Sequence, residues 1–186
     1  PYSYQWSNGS NNEDLLNAPV GNYELIVTDS AGCQGVEYAE LLGVNFNAAP
    51  ICMVTVDTAS GSNLVVWTKE FNLGISGYEV HRETSVMNVF QLLGIIPFDS
   101  LSQFLDSAAN SSVHSYRYKL RTIDSCANSS DFLAFHKTIH LASNLGLNNV
   151  VNLAWDDYIG FSYVTFYINR YHPSTGWETI DSVSAN

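Results

Sequence analysis

Positively charged residues are scarce in this sequence. It has 7 Lys and Arg against 18 Asp and Glu, a formal net charge of −11, and only 13% of its 186 residues are charged. Nucleic acids and anionic lipid surfaces are bound through clusters of Lys and Arg, so this balance argues against both as partners. Long apolar runs are missing too, and without about eighteen consecutive apolar residues we expect no membrane span.

Sequence motifs of catalysis and cofactor binding are also absent. There is no G-x-S-x-G elbow, P-loop or dinucleotide fingerprint. His136 and His140 are spaced as H-x-x-x-H, but a strand would hold them about 13 Å apart, too far to share one zinc. We therefore interpret both as histidines on a sandwich surface, and Asp156-Asp157 as a turn. The chain is predicted to be no enzyme and to hold no metal or cofactor, with calcium at loop acids left as an alternative.

One stretch of the sequence occurs twice. Leu64-Val65-Val66-Trp67 followed by Tyr78–Arg82 recurs as Asn152–Trp155 followed by Phe166–Arg170. The two tryptophans, Trp67 and Trp155, are 88 residues apart, and so are the two arginines, Arg82 and Arg170. A repeat of this length made of short alternating strands is typical of immunoglobulin-like sandwiches. The predicted fold class is therefore all-β, with tandem immunoglobulin-like or fibronectin type III-like β-sandwiches.

Period-two alternation indicates the strands and the core. Turn residues separate seven predicted strands of a central unit and three of a following one, and the core candidates are Trp67, Tyr116, Tyr118 and Trp155. The predicted central strands are Ile51–Val56, Asn63–Thr68, Gly77–Arg82, Phe90–Ile95, Gln103–Asp106, Ser115–Asp124 and one near Leu133–His136. The following strands are Val150–Trp155, Val164–Arg170 and Trp177–Ser182.

The first 33 residues carry a specific resemblance. Pro1-Tyr2-Ser3-Tyr4-Gln5-Trp6-Ser7-Asn8-Gly9 is followed by Glu13-Asp14-Leu15, Gly21-Asn22-Tyr23, Val27-Thr28-Asp29 and Gly32-Cys33. This pattern resembles the SprB-type repeat of very long secreted adhesins and other surface proteins of the Bacteroidetes. The resemblance lacks the opening strand of that repeat, so we expect the chain to begin inside one domain.

The central unit resembles a fibronectin type III domain. Tyr116-Arg117-Tyr118-Lys119-Leu120 stands where that family has its Y-x-Y-x-V strand, and Tyr116 is the candidate tyrosine-corner residue. The combination of modules resembles secreted Bacteroidetes proteins that are exported by type IX secretion. We predict a partial SprB-type repeat at 1–46, a fibronectin type III-like domain at 47–136 and a partial second one at 137–186, joined by a short connector from Ala39 to Pro50.

The sequence has three cysteines, Cys33, Cys52 and Cys126, so at least one of them has no disulfide partner among the other two. In a fibronectin-like sandwich Cys52 and Cys126 would lie at the same pole, so a bridge between them is a candidate disulfide. The alternative is that both are buried thiols, which need no partner. Cys33 would remain unpaired or bond a residue outside this sequence.

Asp-Ser or Asp-Thr followed by a small or apolar residue occurs five times. The tripeptides match the O-glycosylation acceptor pattern D-[S/T]-[A/I/L/V/M/T] of exported Bacteroidetes proteins. The candidate acceptors are Ser30, Thr58, Ser100, Ser107 and Ser182.

These resemblances imply a non-catalytic spacer of a long adhesin, secreted or associated with the outer membrane at the cell surface, in surface adhesion or gliding motility. Its expected partners are neighbouring domains of the same chain, the type IX secretion machinery and a polysaccharide or other cell-surface ligand. Two alternatives stay open. The modules could be accessory substrate-binding domains of a large secreted hydrolase, using aromatic residues of 158–177 to stack on sugars. They could also form a surface filament whose incomplete units are completed by neighbouring chains.

Overall fold

A computed structural model describes residues 1–41, 47–69 and 74–185. The chain forms two compact units, Pro1–Asn45 and Phe46–Asn186. No helix in the described part of the chain is long and apolar enough to cross a membrane. The predicted boundary at 46/47 adjoins residues 42–46, which lie outside the described residues, as does part of the predicted turn at 72–74.

The first unit is a three-stranded antiparallel meander. Strands β1 (Ser3–Trp6), β2 (Gly21–Thr28) and β3 (Gln34–Leu41) pair in that order. Gly9 adopts a φ of 88°, which a glycine tolerates in the tight turn after β1. Every residue of β3 is exposed, and this strand was not among the predicted ones. The predicted connector from Ala39 therefore begins inside β3.

The second unit starts with a sandwich of two antiparallel sheets. One sheet has the order β4-β5-β8 and the other has the order β10-β9-β6-β7. The strands are β4 (Ile51–Val56), β5 (Asn63–Trp67), β6 (Ile75–Glu83), β7 (Phe90–Pro97), β8 (Gln103–Asp106), β9 (Arg117–Asp124) and β10 (His136–Lys137). The predicted all-β fold class is confirmed. Six predicted strands are present, but the last one begins at His136 rather than near Leu133.

The core lies between these two sheets. Alternate residues of β5 and β9 are buried, as strands that cover an apolar interior require. The buried cluster comprises Ala49, Ile51, Val54, Val65, Trp67, Tyr78, Val80, Tyr118 and Leu120. Because its members come from both sheets, the sandwich has a hydrophobic core of its own.

Two hairpins follow the sandwich within the same unit. Strand β11 (Leu141–Leu145) pairs with β12 (Val151–Trp155) across a short 3-10 turn, Leu147–Asn149. Strand β13 (Thr165–His172) pairs with β14 (Gly176–Ser184). The β11 strand was not among the predicted ones. Strand β10 pairs with β9, so the sheet of the central sandwich continues past the predicted boundary at 136/137.

Candidate functional site at the junction after the central sandwich

The loop after β12 returns to the sandwich through Tyr158. Its hydroxyl accepts a hydrogen bond from the backbone N–H of Val54 on β4 at 3.0 Å. The same hydroxyl lies 2.8 Å from Nδ1 of His136 on β10. Because β4 and β10 belong to different sheets, one side chain from the following segment is bonded to both halves of the sandwich.

The protonation states of this pair are set by burial. Burial lowers the pKa of His136 below its ordinary value and raises the pKa of Tyr158. His136 is therefore neutral at neutral pH. Since the hydroxyl already accepts from Val54, it donates its own proton to the imidazole Nδ1. Our interpretation of His136 as a surface histidine is wrong, because the side chain is buried beneath this loop.

Asp156 makes a second set of bonds across the same junction. Its Oδ2 accepts from Ser115 Oγ at 2.6 Å and from Lys137 Nζ at 2.9 Å, and its Oδ1 accepts from the backbone N–H of His140 at 2.6 Å. Burial alone would raise the pKa of this carboxyl, but the bonds from His140, Lys137 and Ser115 outweigh it and lower the pKa. Asp156 is thus an ionised, partly buried anchor and more than a turn residue.

Gly160 and Phe161 complete the contact. A Cβ on Gly160 would lie 2.2 Å from Nδ1 of His136, and its φ of 145° also disfavours a side chain. The ring of Phe161 packs on Tyr158 with 4.3 Å between centroids. Backbone bonds between Lys137 and Ile159 run in both directions beside them. We call Asp156, Tyr158, Gly160, Phe161 and His136 the junction cluster.

The two copies of the repeat differ in sequence at the position of this cluster, and the prediction of strands did not use that difference. At an offset of 88, Asp156-Asp157-Tyr158 stands opposite Thr68-Lys69-Glu70. The two copies agree within their strands and differ here, directly after the strand that ends in the repeated tryptophan. The loop that follows Trp155 thus differs in sequence from the loop that follows Trp67.

The predicted core residues of the central sandwich have defined partners. Trp67 is 2% exposed and Tyr118 is fully buried. The Tyr118 hydroxyl donates to Asp106 at 2.8 Å and accepts from the side-chain amide of Asn63 at 2.8 Å, and Arg82 pairs with the same carboxylate at 2.7 Å. This buried network joins both sheets.

The other two predicted core residues are only partly buried. Tyr116 accepts a hydrogen bond at its hydroxyl from the backbone N–H of Asn110, six residues upstream, at 2.9 Å. That is the backbone contact of a tyrosine corner. Trp155 packs edge-on against Phe166 in the hairpin segment, with 5.6 Å between ring centroids.

The predicted disulfide between Cys52 and Cys126 is not formed in the structure. Cys33, Cys52 and Cys126 are all free and exposed thiols. The alternative of buried thiols does not hold either. Cys52 is exposed on β4, beside a register shift between Ile51 and Met53, while Ile51 and Val54 face the core. Cys126 lies in the turn after β9.

The five candidate glycosylation acceptors are all exposed. Ser30, Thr58, Ser100 and Ser107 lie in turns or bends, whereas Ser182 lies within strand β14. In the turn after β4, the neighbouring carboxylate of Asp57 accepts hydrogen bonds from the backbone N–H and the hydroxyl of Ser60. These bonds hold the turn while leaving Thr58 accessible.

His136 and His140 do not converge on a common point. Nδ1 of His140 lies 3.1 Å from the carbonyl oxygen of Ser111, while His136 bonds Tyr158. Within residues 1–41, 47–69 and 74–185, no group of three or more His, Cys, Asp or Glu side chains is arranged to hold a metal ion.

Comparison with known proteins yields similarity of fold only. No family model matches the chain, and no curated protein does. An Fn3-like protein from Clostridium thermocellum aligns over 49% of this chain and 88% of its own, at 13% identity and a TM-score of 0.40. The FN1–FN3 domains of chicken CNTN1 align over 98% and 74%, at 12% identity and a TM-score of 0.35. A β-1,2-glucanase from Parabacteroides distasonis aligns over 74% of this chain and only 25% of its own, at 12% identity and a TM-score of 0.39.

Proposed function

We propose that this chain is a non-catalytic spacer in which a fibronectin type III-like sandwich and the β-segment after it are held in one fixed orientation. The observation that carries this proposal is the pair of hydrogen bonds by which the Tyr158 hydroxyl contacts both β4 and β10. Asp156 adds three further hydrogen bonds across the same junction. Modules joined by a flexible linker would lack such partly buried, hydrogen-bonded contacts.

The substitution Tyr158→Phe tests whether the junction fixes the orientation of the sandwich and the β-segment after it. The change keeps the ring against Phe161 but removes the hydroxyl that serves Val54 and His136. Tyr163→Phe is the control, because it removes a hydroxyl that donates to the exposed side chain of Asp157 within the loop itself. The measurement is backbone 15N relaxation, which reports rotational diffusion separately for β4–β10 and for β11–β14.

We expect the two parts of the wild-type chain and of Tyr163→Phe to tumble with one correlation time. In Tyr158→Phe the β11–β14 segment should tumble faster than the sandwich, because each lost bond weakens the junction by about 1 kcal/mol or more. Two independent correlation times in the wild type would refute the spacer proposal.

We further propose that the spacer belongs to a long secreted or cell-surface adhesin exported by type IX secretion. The SprB-type pattern of residues 1–33 and the exposed Asp-Ser and Asp-Thr turns support this assignment. The expected neighbours are other modules of the same polypeptide. The proposal predicts that protease added to intact source cells degrades the protein, whereas protection until the cells are lysed would contradict it.

A second candidate function has one observation in its favour. Tyr171 on β13 and Trp177 on β14 form an aromatic pair with 5.5 Å between centroids, and both are more than half exposed. Such a pair can stack on sugar rings, as an accessory polysaccharide-binding module of a secreted hydrolase would. Affinity electrophoresis in soluble polysaccharides, with Trp177→Ala as the comparison, distinguishes this function from a pure spacer.

A further inference from the structure

The last strand of the central sandwich is preceded by a segment that leaves the sheet. Ser129 forms an antiparallel bridge with Ile123 of β9. Pairing resumes only at β10, where His136 lies opposite Tyr118. In the described part of the chain, no backbone hydrogen bond joins residues 131–135 to β9. We call residues 131–135 the strap.

The strap makes this side of the pairing two residues longer than the stretch of β9 that it passes. From Ser129 to His136 is seven residue steps, whereas from Ile123 to Tyr118 is five. An extended strand advances about 3.3 Å per residue, so the two extra residues are a reserve of about 7 Å of chain. Because side chains alternate between the two faces of a sheet, a shift of two residues returns each side chain to its own face.

The main-chain groups of Leu120 on β9 point towards the strap. Two residues later, Thr122 accepts at its carbonyl oxygen from the backbone N–H of Ser130 and donates its own N–H to the Ser130 hydroxyl. Four residues earlier, Tyr116 makes the same two bonds with Thr138. In an antiparallel strand the main-chain groups of every second residue point to the same side, so those of Leu120 do as well. A strand laid against β9 here would gain hydrogen bonds that the strap does not make.

An aromatic ring holds the strap on the outer face of the sheet. The ring centroid of Phe132 lies 5.5 Å from Nζ of Lys119 and 5.1 Å from Cζ of Arg121. It also lies 4.8 Å from the ring centroid of His81 on β6, edge to face. These cation–π and aromatic contacts exist only while the strap bulges outward. In a regular strand paired with β9, Phe132 would lie opposite the buried Leu120 and face the other side of the sheet.

We propose that β10 has a second register on β9, shifted by two residues, in which the strap becomes a regular strand and the spacer is longer by about 7 Å. The structure shows the resting register, with Lys137 opposite Arg117. In the extended register Phe135 lies opposite Arg117, and Leu133 lies opposite Lys119. This inference rests on the spacer function, because it describes how the spacer changes its length.

The loop after β12 moves with β10 in this shift. Lys137 donates from Nζ to Asp156, and its backbone pairs with the same loop in both directions. The contacts given up are those with the sandwich, namely the bonds of Tyr158 with Val54 and of Asp156 with Ser115. The junction cluster therefore favours the resting register.

Other contacts favour the extended register. Main-chain hydrogen bonds form at Leu120, and Asp131 comes to lie opposite Arg121 as a cross-strand pair of opposite charge. β10 slides in its own chain direction, away from Ser129, so the distance along the chain from the sandwich to β11 increases. Tension on the spacer consequently favours the extended register, since the applied force does work over the added length.

The substitution Phe132→Ala tests the proposal, because the Phe132 ring touches Lys119, Arg121 and His81 only in the resting register. Phe135→Ala is the matched control. The Phe135 ring lies 4.8 Å from the Arg117 guanidinium in the structure and is again beside Arg117 in the extended register.

The measurement is NMR of the full 186-residue chain, using nuclear Overhauser effects between α-protons of facing residues, which approach closely in non-hydrogen-bonded antiparallel pairs. The contact of Arg117 with Lys137 reports the resting register. The contacts of Arg117 with Phe135 and of Lys119 with Leu133 report the extended one.

We expect Phe132→Ala to raise the population of the extended register by about tenfold, and Phe135→Ala to change it by less than about twofold. In the first variant the amides of residues 132 and 134 should gain protection from hydrogen exchange, and the amide of Val54 should lose it. Deletion of Leu133 and Ala134 removes the reserve, so it should keep only the contact of Arg117 with Lys137. Lys119→Gln, which removes one cation from the ring, serves if Phe132→Ala does not fold.

Faster exchange throughout residues 129–135 of Phe132→Ala, with the contact of Arg117 and Lys137 unchanged, would show that the strap only frays and would overturn the proposal. An equal shift in the two phenylalanine variants, or an extended register in the deletion variant, would do the same. Failure of the spacer function itself is seen elsewhere, as two independent correlation times in the wild-type chain.

Discussion

At the scale of single residues, each of the two repeated tryptophans contacts one aromatic ring, but the two differ in solvent exposure. Trp67 contacts Tyr78 and is almost completely buried, because β8 and β9 close the sandwich over it. Trp155 makes the equivalent contact with Phe166 but remains partly exposed. Strands with a similar residue pattern therefore bury their tryptophans to different extents.

Substitution of each tryptophan by alanine measures this difference. Trp67→Ala should lower the free energy of unfolding of the central sandwich by about 3–5 kcal/mol, because it opens a cavity in a closed core. Trp155→Ala should lower stability by about 1–2 kcal/mol, within the range of partly exposed sites. Urea unfolding followed by far-UV circular dichroism gives both values. Wild-type stability of Trp67→Ala, or equal losses in the two variants, would refute this account of the core.

At the scale of secondary-structure elements, the junction depends on a neutral histidine in strand β10. Burial lowers the pKa of His136 in the folded state relative to about 6.5 for an exposed histidine. When the junction or the sandwich opens, the imidazole becomes exposed and takes up a proton below that value. The open state thus binds more protons, so the stability from this contact is complete above about pH 6.5 and is lost as the pH falls towards the lowered pKa.

We expect the unfolding free energy to decrease between pH 7.5 and pH 5.5, with His136 contributing part of the slope. His136→Gln, which keeps an acceptor for the Tyr158 hydroxyl and cannot titrate in this range, should have a smaller slope than the wild type. Denaturant titrations at several pH values, compared between the two proteins, give the contribution of His136. Identical slopes would show that His136 is not held neutral in the folded junction.

The strands of the central sandwich could be predicted because their two faces differ in environment. Strands β4 and β8 match their predicted bounds because each has residues that face the core and residues that face water. Strands β3 and β11 were not predicted, and both are exposed along their whole length. Strand β12 is exposed at four of its five residues and was found through the repeat. The junction cluster was not predicted because Tyr158 and Asp156 meet β4, β10 and Ser115 only after the loop folds back, and no local pattern encodes such a contact.

At the scale of the whole molecule, the chain is acidic but has few charged residues, and several of its turns are exposed to solvent. The net charge of −11 comes with only 25 charged side chains of Lys, Arg, Asp and Glu type, so uncharged polar groups cover much of the exterior. Four of the five candidate acceptors lie in turns or bends where a glycan would project into solvent without displacing a strand. Ser182 differs, because its strand pairs with β13 at Tyr167.

We predict O-linked glycan on the turn acceptors Ser30, Thr58, Ser100 and Ser107 when the protein is isolated from its source cells. Acceptors in turns are accessible to a transferase after folding, whereas Ser182 within the β13–β14 hairpin should be occupied less often. Intact mass compared with the 20.6 kDa of the unmodified residues, followed by glycopeptide mapping, tests this order. An unmodified mass would remove the support that these turns give to a secreted surface protein. Preferential occupancy of Ser182 would instead show that the glycan is attached before the hairpin forms.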